Sequence, residues 1–152
     1  MKALSMTQPW AALFATGQKR NETRSWKTKY RGEIAIHSAS RFPPKCTGLF
    51  FLAPFNSALR LGGIREFADL KTGCIIGFCE ITDCVPTREI RGDLPQLELT
   101  FGDYSDGRWA WICENHRLVA YPVYCRGALS LWQVPDNIVR LLRPREYVLE
   151  PA

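Results

Sequence analysis

The chain has 152 residues, enough for one domain whose core needs no metal or disulfide. Hydrophobic residues make up 46% and charged residues 23%, a globular balance that excludes disorder as the default. The net charge is +5, and the basic side is mostly Arg, whose planar fork suits phosphates and base edges; this permits a nucleic-acid partner without establishing one. In chain order, Lys2–Met6 reads as a strand and Pro9–Ala15 as a short helix, with Pro9 in the first turn, where its missing N–H costs nothing. Gly17 ends that helix and turns the chain. Glu22–Trp26 and Glu33–Ser38 read as strands, the second turning Ile34 and Ile36 inward.

Pro43-Pro44 opens a helical stretch to Leu61, interrupted at Pro54 and closed by Gly62-Gly63. Residues 43–71 are read as a helical insertion within a single domain over 1–152. Gly73–Val85 is the clearest strand, with Ile75, Gly77, Cys79 and Ile81 expected on one face. A polar loop carrying Asp93, Gly102, Asp103, Ser105, Asp106 and Gly107 leads into a strand over about Arg108–Cys113. Leu129–Val134 is a further strand, and Asp136 is expected to cap a last helix over Asn137–Leu142. The order does not repeat a βαβ unit, which disfavours a doubly wound sheet. The expected fold is α+β: a small mixed, mostly antiparallel β-barrel decorated by helices.

The opening residues lack the apolar core of a signal peptide, and the greasiest run, Leu49–Phe55, is far too short to span a membrane. No two of the six cysteines have CxxC spacing, and Cys74, Cys79 and Cys84 step by five, which on a regular strand alternates faces. They read as reduced thiols of a cytoplasmic protein, with no metal or other cofactor expected. No obligate protein partner is evident.

The densest polar segment is Gly17–Arg31, which carries Lys19, Arg20, Arg24, Lys27, Lys29 and Arg31. It lies between a helix and a strand, where a rigid scaffold aims loop residues into a cleft. Strand alternation puts Glu22, Arg24 and Trp26 on one face, and Lys19, three residues before Glu22, can fold back to it. In a dry cleft with Arg24 close, Lys19 would act as base or nucleophile and Glu22 would carry its proton. In a wet one, the same residues are an ion-pair cluster worth about 0–1 kcal/mol per pair.

Other candidates surround this segment. Trp10 follows Gln8-Pro9 at a helix start and either stacks on a base or packs on the barrel. Trp109, Trp111 and Trp132 read as core. His37, ending a strand, either contacts a phosphate or transfers a proton, or else serves as a structural hydrogen-bonder. Tyr104 and Arg108, in the glycine-flanked loop, would close over a ligand by stacking and by the guanidinium fork; a self-satisfied Asp turn is the alternative.

Gly17, Lys19, Glu22 and Arg24 fit the pattern Gly-x-Lys-x-x-Glu-x-Arg, which resembles the signature of the ASCH domain family, within the PUA-like superfamily. Ser5–Ala11 is similar to that family's opening strand-to-helix turn, and Arg31–His37 to its Arg-Gly strand ending in His. Gly102–Trp111 and the Arg126-Gly127 to Leu131-Trp132 stretch resemble the back half of bacterial and phage members. The resemblance runs from about Lys2 to Val134, with 43–71 the least familiar part. It implies a PUA-like barrel with a cleft lined by the motif, binding RNA or a nucleotide. Lys19, Glu22 and Arg24 would form the floor, with Trp10, Gln8 and Trp26 beside them and Lys27 and Arg31 steering a backbone. The alternative is a hydrolase acting on a modified nucleoside, or a ribonuclease. A related branch that deacetylates acetylcytidine shares the Lys but has Thr where this chain has Glu22, so that carry-over holds for Lys19 and stops at Glu22.

Overall fold

The computed structural model describes residues 1–146. Six strands form one mixed sheet in the order β2-β5-β4-β3-β1-β6. These are β1 (Lys2–Met6), β2 (Glu22–Arg24), β3 (Gly32–Ser38), β4 (Cys74–Pro86), β5 (Trp109–Tyr124) and β6 (Leu131–Gln133). Only β1 and β3 pair in parallel; every other pairing is antiparallel. The sheet curls into a half-barrel with helices around it, the expected α+β architecture.

Helix α1 (Trp10–Ala15) lies inside the curl and is buried on all sides but its start. Ala11, Phe14 and Ala15 pack on the sheet with Leu4, Ile34, Ile36 and Trp111. Ala12 and Leu13 face the opposite way, toward Phe55, Leu59 and Phe101. The second of these clusters is built by a 3-10 turn (Gly48–Phe51) and α3 (Phe55–Leu61), which follow α2 (Pro44–Thr47), with α3 restarting the helical stretch after Pro54. A third cluster covers the outer face of the sheet, where Ala35, Phe78, Trp132 and Leu142 meet. Helix α6 (Asp136–Val139) leads into it.

Several sequence expectations give way to local physics. The register of β4 against β5 shifts between Ile75 and Gly77, between Phe78 and Glu80, and between Ile81 and Asp83. The first and last flip the faces of the β4 residues beyond them; at the middle one the extra residue lies in β5, between Arg117 and Glu114, and β4 keeps its alternation. Ile75 therefore faces the outer cluster, while Cys79 and Ile81 face the inner one. For the same reason Cys74, Cys79 and Cys84 all enter the inner cluster, where a regular strand would alternate them. β5 runs to Tyr124, far beyond Cys113. Its middle passes through Asn115 at a φ of 55°, so a bulge, rather than a turn, lies at Asn115-His116. The loop after β4 folds into α4 (Thr87–Ile90), a 3-10 turn (Arg91–Asp93) and α5 (Gln96–Thr100). Pro135 holds the N-cap position of α6, and Asp136 is its first helical residue rather than the cap.

Candidate functional site

The charged motif starts where α1 stops. Gly17 adopts a φ of +80°, in the left-handed region that glycine enters without steric cost. Its N–H donates to the Phe14 carbonyl at 3.2 Å, and the Lys19 N–H donates to Leu13 at 2.9 Å. This turn sends the Lys19 side chain inward, leaving it only 2% exposed. Its Nζ donates to the Asn21 carbonyl and, at 3.1 Å, to Glu22 Oε1. It also lies 5.4 Å from the Phe14 ring centroid, a cation–π contact in dry surroundings.

Glu22 has both carboxylate oxygens occupied. Oε1 accepts from Lys19 Nζ and, at 3.0 Å, from the Thr23 N–H. Oε2 accepts from Arg24 Nη2 at 2.9 Å and Nε at 3.2 Å. Burial alone would push the Glu22 carboxyl up, but the charges and hydrogen bonds of Lys19 and Arg24 outweigh it and hold it below its ordinary 4.5. An ionised carboxylate accepts and does not donate. The arrangement thus favours Glu22 as an orienting counter-ion and Lys19 as a hydrogen-bond donor, over a proton relay between them.

Arg24 reaches across the open seam of the half-barrel. Its Nη2 donates to the Ser5 carbonyl on β1 at 3.2 Å, tying edge strand β2 to a strand it does not pair with. Nη1 has no protein partner among the described residues. Behind the motif, Glu98 on α5 accepts from the N–H groups of Arg20 and Asn21 at 2.8 to 3.1 Å, and from the Tyr104 hydroxyl at 3.3 Å. In front of it, the Asp103 N–H donates to Thr23 Oγ1 at 3.1 Å, and Arg108 Nη2 donates to the Thr23 carbonyl at 3.2 Å.

These residues bound a cleft of about 530 Å³, lined among others by Ser5, Trp10, Lys19, Glu22, Arg24 and Arg108. Trp10 is half-buried at its rim, edge-on to Phe55 at 6.0 Å. Five of the sequence candidates therefore come together here: Trp10, Lys19, Glu22, Arg24 and Arg108.

The others do not line this cleft. Gln8 is buried, its Oε1 accepting from the Ala12 N–H and its Nε2 donating to the Lys71 carbonyl, so it locks α1 in place. Trp26 lies beyond the end of β2, packs edge-on to Trp111 at 4.7 Å and does not line the cleft. Lys27 sits 5.2 Å from the Trp109 ring centroid. Arg31 is exposed and bonds the carbonyls of Thr28 and Tyr30. Tyr104 turns inward onto Glu98, and burial first, then the Glu98 charge, pushes its hydroxyl up.

His37 belongs to a different network. Its Nε2 lies 2.9 Å from the Cys125 carbonyl, which only accepts, so Nε2 carries the proton. Nδ1 then accepts from Ser5 Oγ at 2.9 Å, and Ser5 Oγ accepts from the Trp132 indole at 3.1 Å. Burial lowers His37 below its ordinary 6.5 and keeps it neutral.

Glu98 and Ser5 are the residues that sequence reasoning missed. Glu98 in the first turn of a short helix has no local mark of burial, and Ser5 reads as one polar residue in a strand. No group of three or more His, Cys, Asp or Glu residues among those described is placed to hold a metal ion. No helix among them is long and apolar enough to cross a membrane.

The protein is similar to activating signal cointegrator 1 from Mus musculus and from Homo sapiens, 30% identical to each over 138 residues. That stretch is 89% of this chain, which spans only 22% of the length of these curated relatives. The fold matches the crystal structure of ASCH from Zymomonas mobilis with a TM-score of 0.54 at 12% identity, over 91% of this chain and 90% of that one. A mutant form of that protein matches at the same TM-score and 13% identity, over 93% and 95% of the two chains. The ASCH domain signature matches residues 4–122, which includes most of β1, α1, the whole charged motif and most of β5, and the chain belongs to the ASCH domain family.

Proposed function

We propose that the chain binds RNA or a nucleotide in the cleft between β1, α1 and β2. The observation that carries this reading is the state of Arg24. Glu22 and the Ser5 carbonyl hold one edge of its guanidinium, and Nη1 is left for a ligand. A guanidinium fixed in this way loses little freedom on binding a phosphate or a base edge. Lys19 adds a donor to the floor, Arg108 adds a second fork, and Trp10 offers a ring at the rim for stacking. The volume, about 530 Å³, suits one nucleotide better than a duplex.

The hydrolase reading is weaker on the same geometry. A base or nucleophile at Lys19 needs a free lone pair, and its amine faces two acceptors, Asn21 and Glu22. The test is fluorescence anisotropy of short single-stranded RNA across a range of salt, with wild type and Arg24→Ala. Salt-dependent affinity that falls at least tenfold in the variant supports binding at this cleft, an effect on the scale of one charge-assisted contact. Affinity indifferent to salt and to Arg24 overturns it, because phosphate contacts must release counterions.

A further inference from the structure

Ser5 forms a wall between two cavities. Its carbonyl receives Arg24 on the side of the first cleft, and its hydroxyl joins His37 and Trp132 on the other. There a second cavity of about 460 Å³ opens, lined by Ser5, His37, Ser40, Arg126, Gly127 and neighbours. Among the described residues its lining contains no carboxylate side chain, and Arg126 is its one charged residue. Arg126 makes no ion pair among the described residues, in contrast with Arg24, Arg31, Arg91, Arg108 and Arg117, which all do.

The backbone of this wall is equally uncommitted. The Cys125 N–H donates to Gly73, but the N–H groups of Arg126, Gly127 and Ala128 have no protein partner among the described residues. The chain is held hard against the barrel at this point. A Cβ at Gly127 would lie 2.6 Å from Ser5 Oγ and from His37 Cε1, so only glycine allows the approach. The Ser5–His37–Cys125 hydrogen bonds in turn fix the floor beneath it. The Ser5 and His37 side chains are spent on each other, on Trp132 and on Cys125, and what remains for a ligand includes a guanidinium, free peptide N–H groups and the Ser40 hydroxyl. Donors without a nearby acid select an anion, and oriented backbone N–H groups form anion-binding concavities.

We infer that this second cavity is a phosphate subsite for the neighbouring nucleotide of the strand whose first nucleotide lies in the Arg24 cleft, with Ser5 as the shared wall. The inference rests on the proposed nucleotide-binding reading of that cleft. It predicts that recognition needs two adjacent nucleotides and uses Arg126 in addition to Arg24 and Arg108.

The experiment compares uridine 5′-monophosphate with the dinucleotide 5′-phosphorylated UpU by isothermal titration calorimetry. The proteins are wild type, Arg126→Ala and Arg24→Ala. Arg126 is exposed, so its removal leaves the core intact. The expected result is that the dinucleotide binds about tenfold more tightly than the monophosphate. Arg126→Ala should erase that gain and leave monophosphate binding unchanged, while Arg24→Ala weakens both ligands. Amide signals of Gly127 and Ala128 should shift in NMR spectra with the dinucleotide and not with the monophosphate. If the monophosphate binds in an Arg24-dependent way but the dinucleotide gains nothing, the second subsite is overturned and the first cleft stands. If Arg126→Ala weakens both ligands equally, Arg126 acts at long range and the subsite is likewise overturned. If neither ligand binds wild type, both readings fall.

Discussion

Glu22 Oε2 accepts two hydrogen bonds from Arg24, at 2.9 Å from Nη2 and 3.2 Å from Nε, while its other oxygen is given to Lys19. One carboxylate therefore neutralises two cations in a site where Lys19 is almost wholly buried. A buried pair contributes little net stability over apolar residues of the same shape, but breaking it strands a charge. Glu22→Gln keeps the shape and removes the charge. It should destabilise the fold by about 3–5 kcal/mol, measured by urea unfolding at pH 7. Arg24→Ala should cost much less, because Arg24 is partly exposed and Lys19 keeps its partner. Equal losses for the two variants would contradict this account of Glu22.

Glu98 supports the same motif from behind, through the N–H groups of Arg20 and Asn21. Glu98→Ala leaves the buried Asn21 N–H unpaired, at about 1–3 kcal/mol, and removes the partner of the part-buried Arg20 N–H. RNA affinity should fall with stability even though Glu98 does not line the cleft. The useful comparison is Glu98→Gln, whose amide oxygen still accepts one of these bonds and should recover part of both losses. A Glu98→Ala protein that retains full stability and affinity would show that the loop holds itself.

The central triad was legible because it is local: a separation of three residues after a glycine turn, then of two along a strand. What the sequence concealed was long-range. β2 ends at Arg24, so Trp26 lies past the strand, packed on Trp111, whose indole donates to its carbonyl at 3.3 Å. Ser5 and Glu98 hold the charged motif through partners 19 to 78 residues away. The facing of β4 was misread because its pairing with β5 shifts register, and no period in β4 records the shifts. β5 itself bulges at Asn115-His116 and resumes pairing with β4 on either side.

His116 has a consequence for acid stability. Its ring meets Phe14 edge-on at 5.0 Å, and its Nε2 is buried without a hydrogen-bond partner. Burial first, then the Arg20 charge, pushes it down from 6.5 to about 4. The unfolded chain takes up a proton below pH 6.5, whereas the folded one stays neutral until about pH 4. Stability is therefore full above pH 6.5 and falls as the pH drops toward 4, by roughly 3 kcal/mol in all. Glu22, also lowered, adds a loss in the same direction below its ordinary 4.5. Replacing His116 by Leu removes the first component only. Urea midpoints at pH 7 and pH 4.5 should then converge, and an unchanged gap would assign the acid sensitivity elsewhere.

Gly77 couples the sheet to the helix that launches the motif. A Cβ there would lie 2.6 Å from the Arg117 carbonyl oxygen and 2.9 Å from Ala15 Cβ. Neither atom can move without shifting β5 or the last turn of α1. Gly77→Ala should cost about 1–3 kcal/mol as overpacking, despite the ordinary strand conformation of this residue. Because α1 ends at the turn that places Lys19, RNA affinity should fall as well. Gly92→Ala is the control: a Cβ there meets nothing within 4 Å. Similar melting temperatures for the two variants would refute the close-approach argument.

Salt dependence separates the basic residues that line the cleft from those that only share its sequence segment. Each phosphate contact to a single strand contributes about −0.7 to the slope of log K against log salt. Arg24 and Arg108 line the cleft, so replacing either by Ala should make the slope shallower by about that amount. Lys27 lies within the same charged run, but its ammonium rests over Trp109, away from the cleft. Lys27→Ala should therefore leave the slope nearly unchanged, with at most a small uniform drop in affinity from the lost net charge. If Lys27→Ala changes the slope as much as Arg24→Ala does, the run acts as a diffuse basic surface and the single-cleft geometry is not what binds.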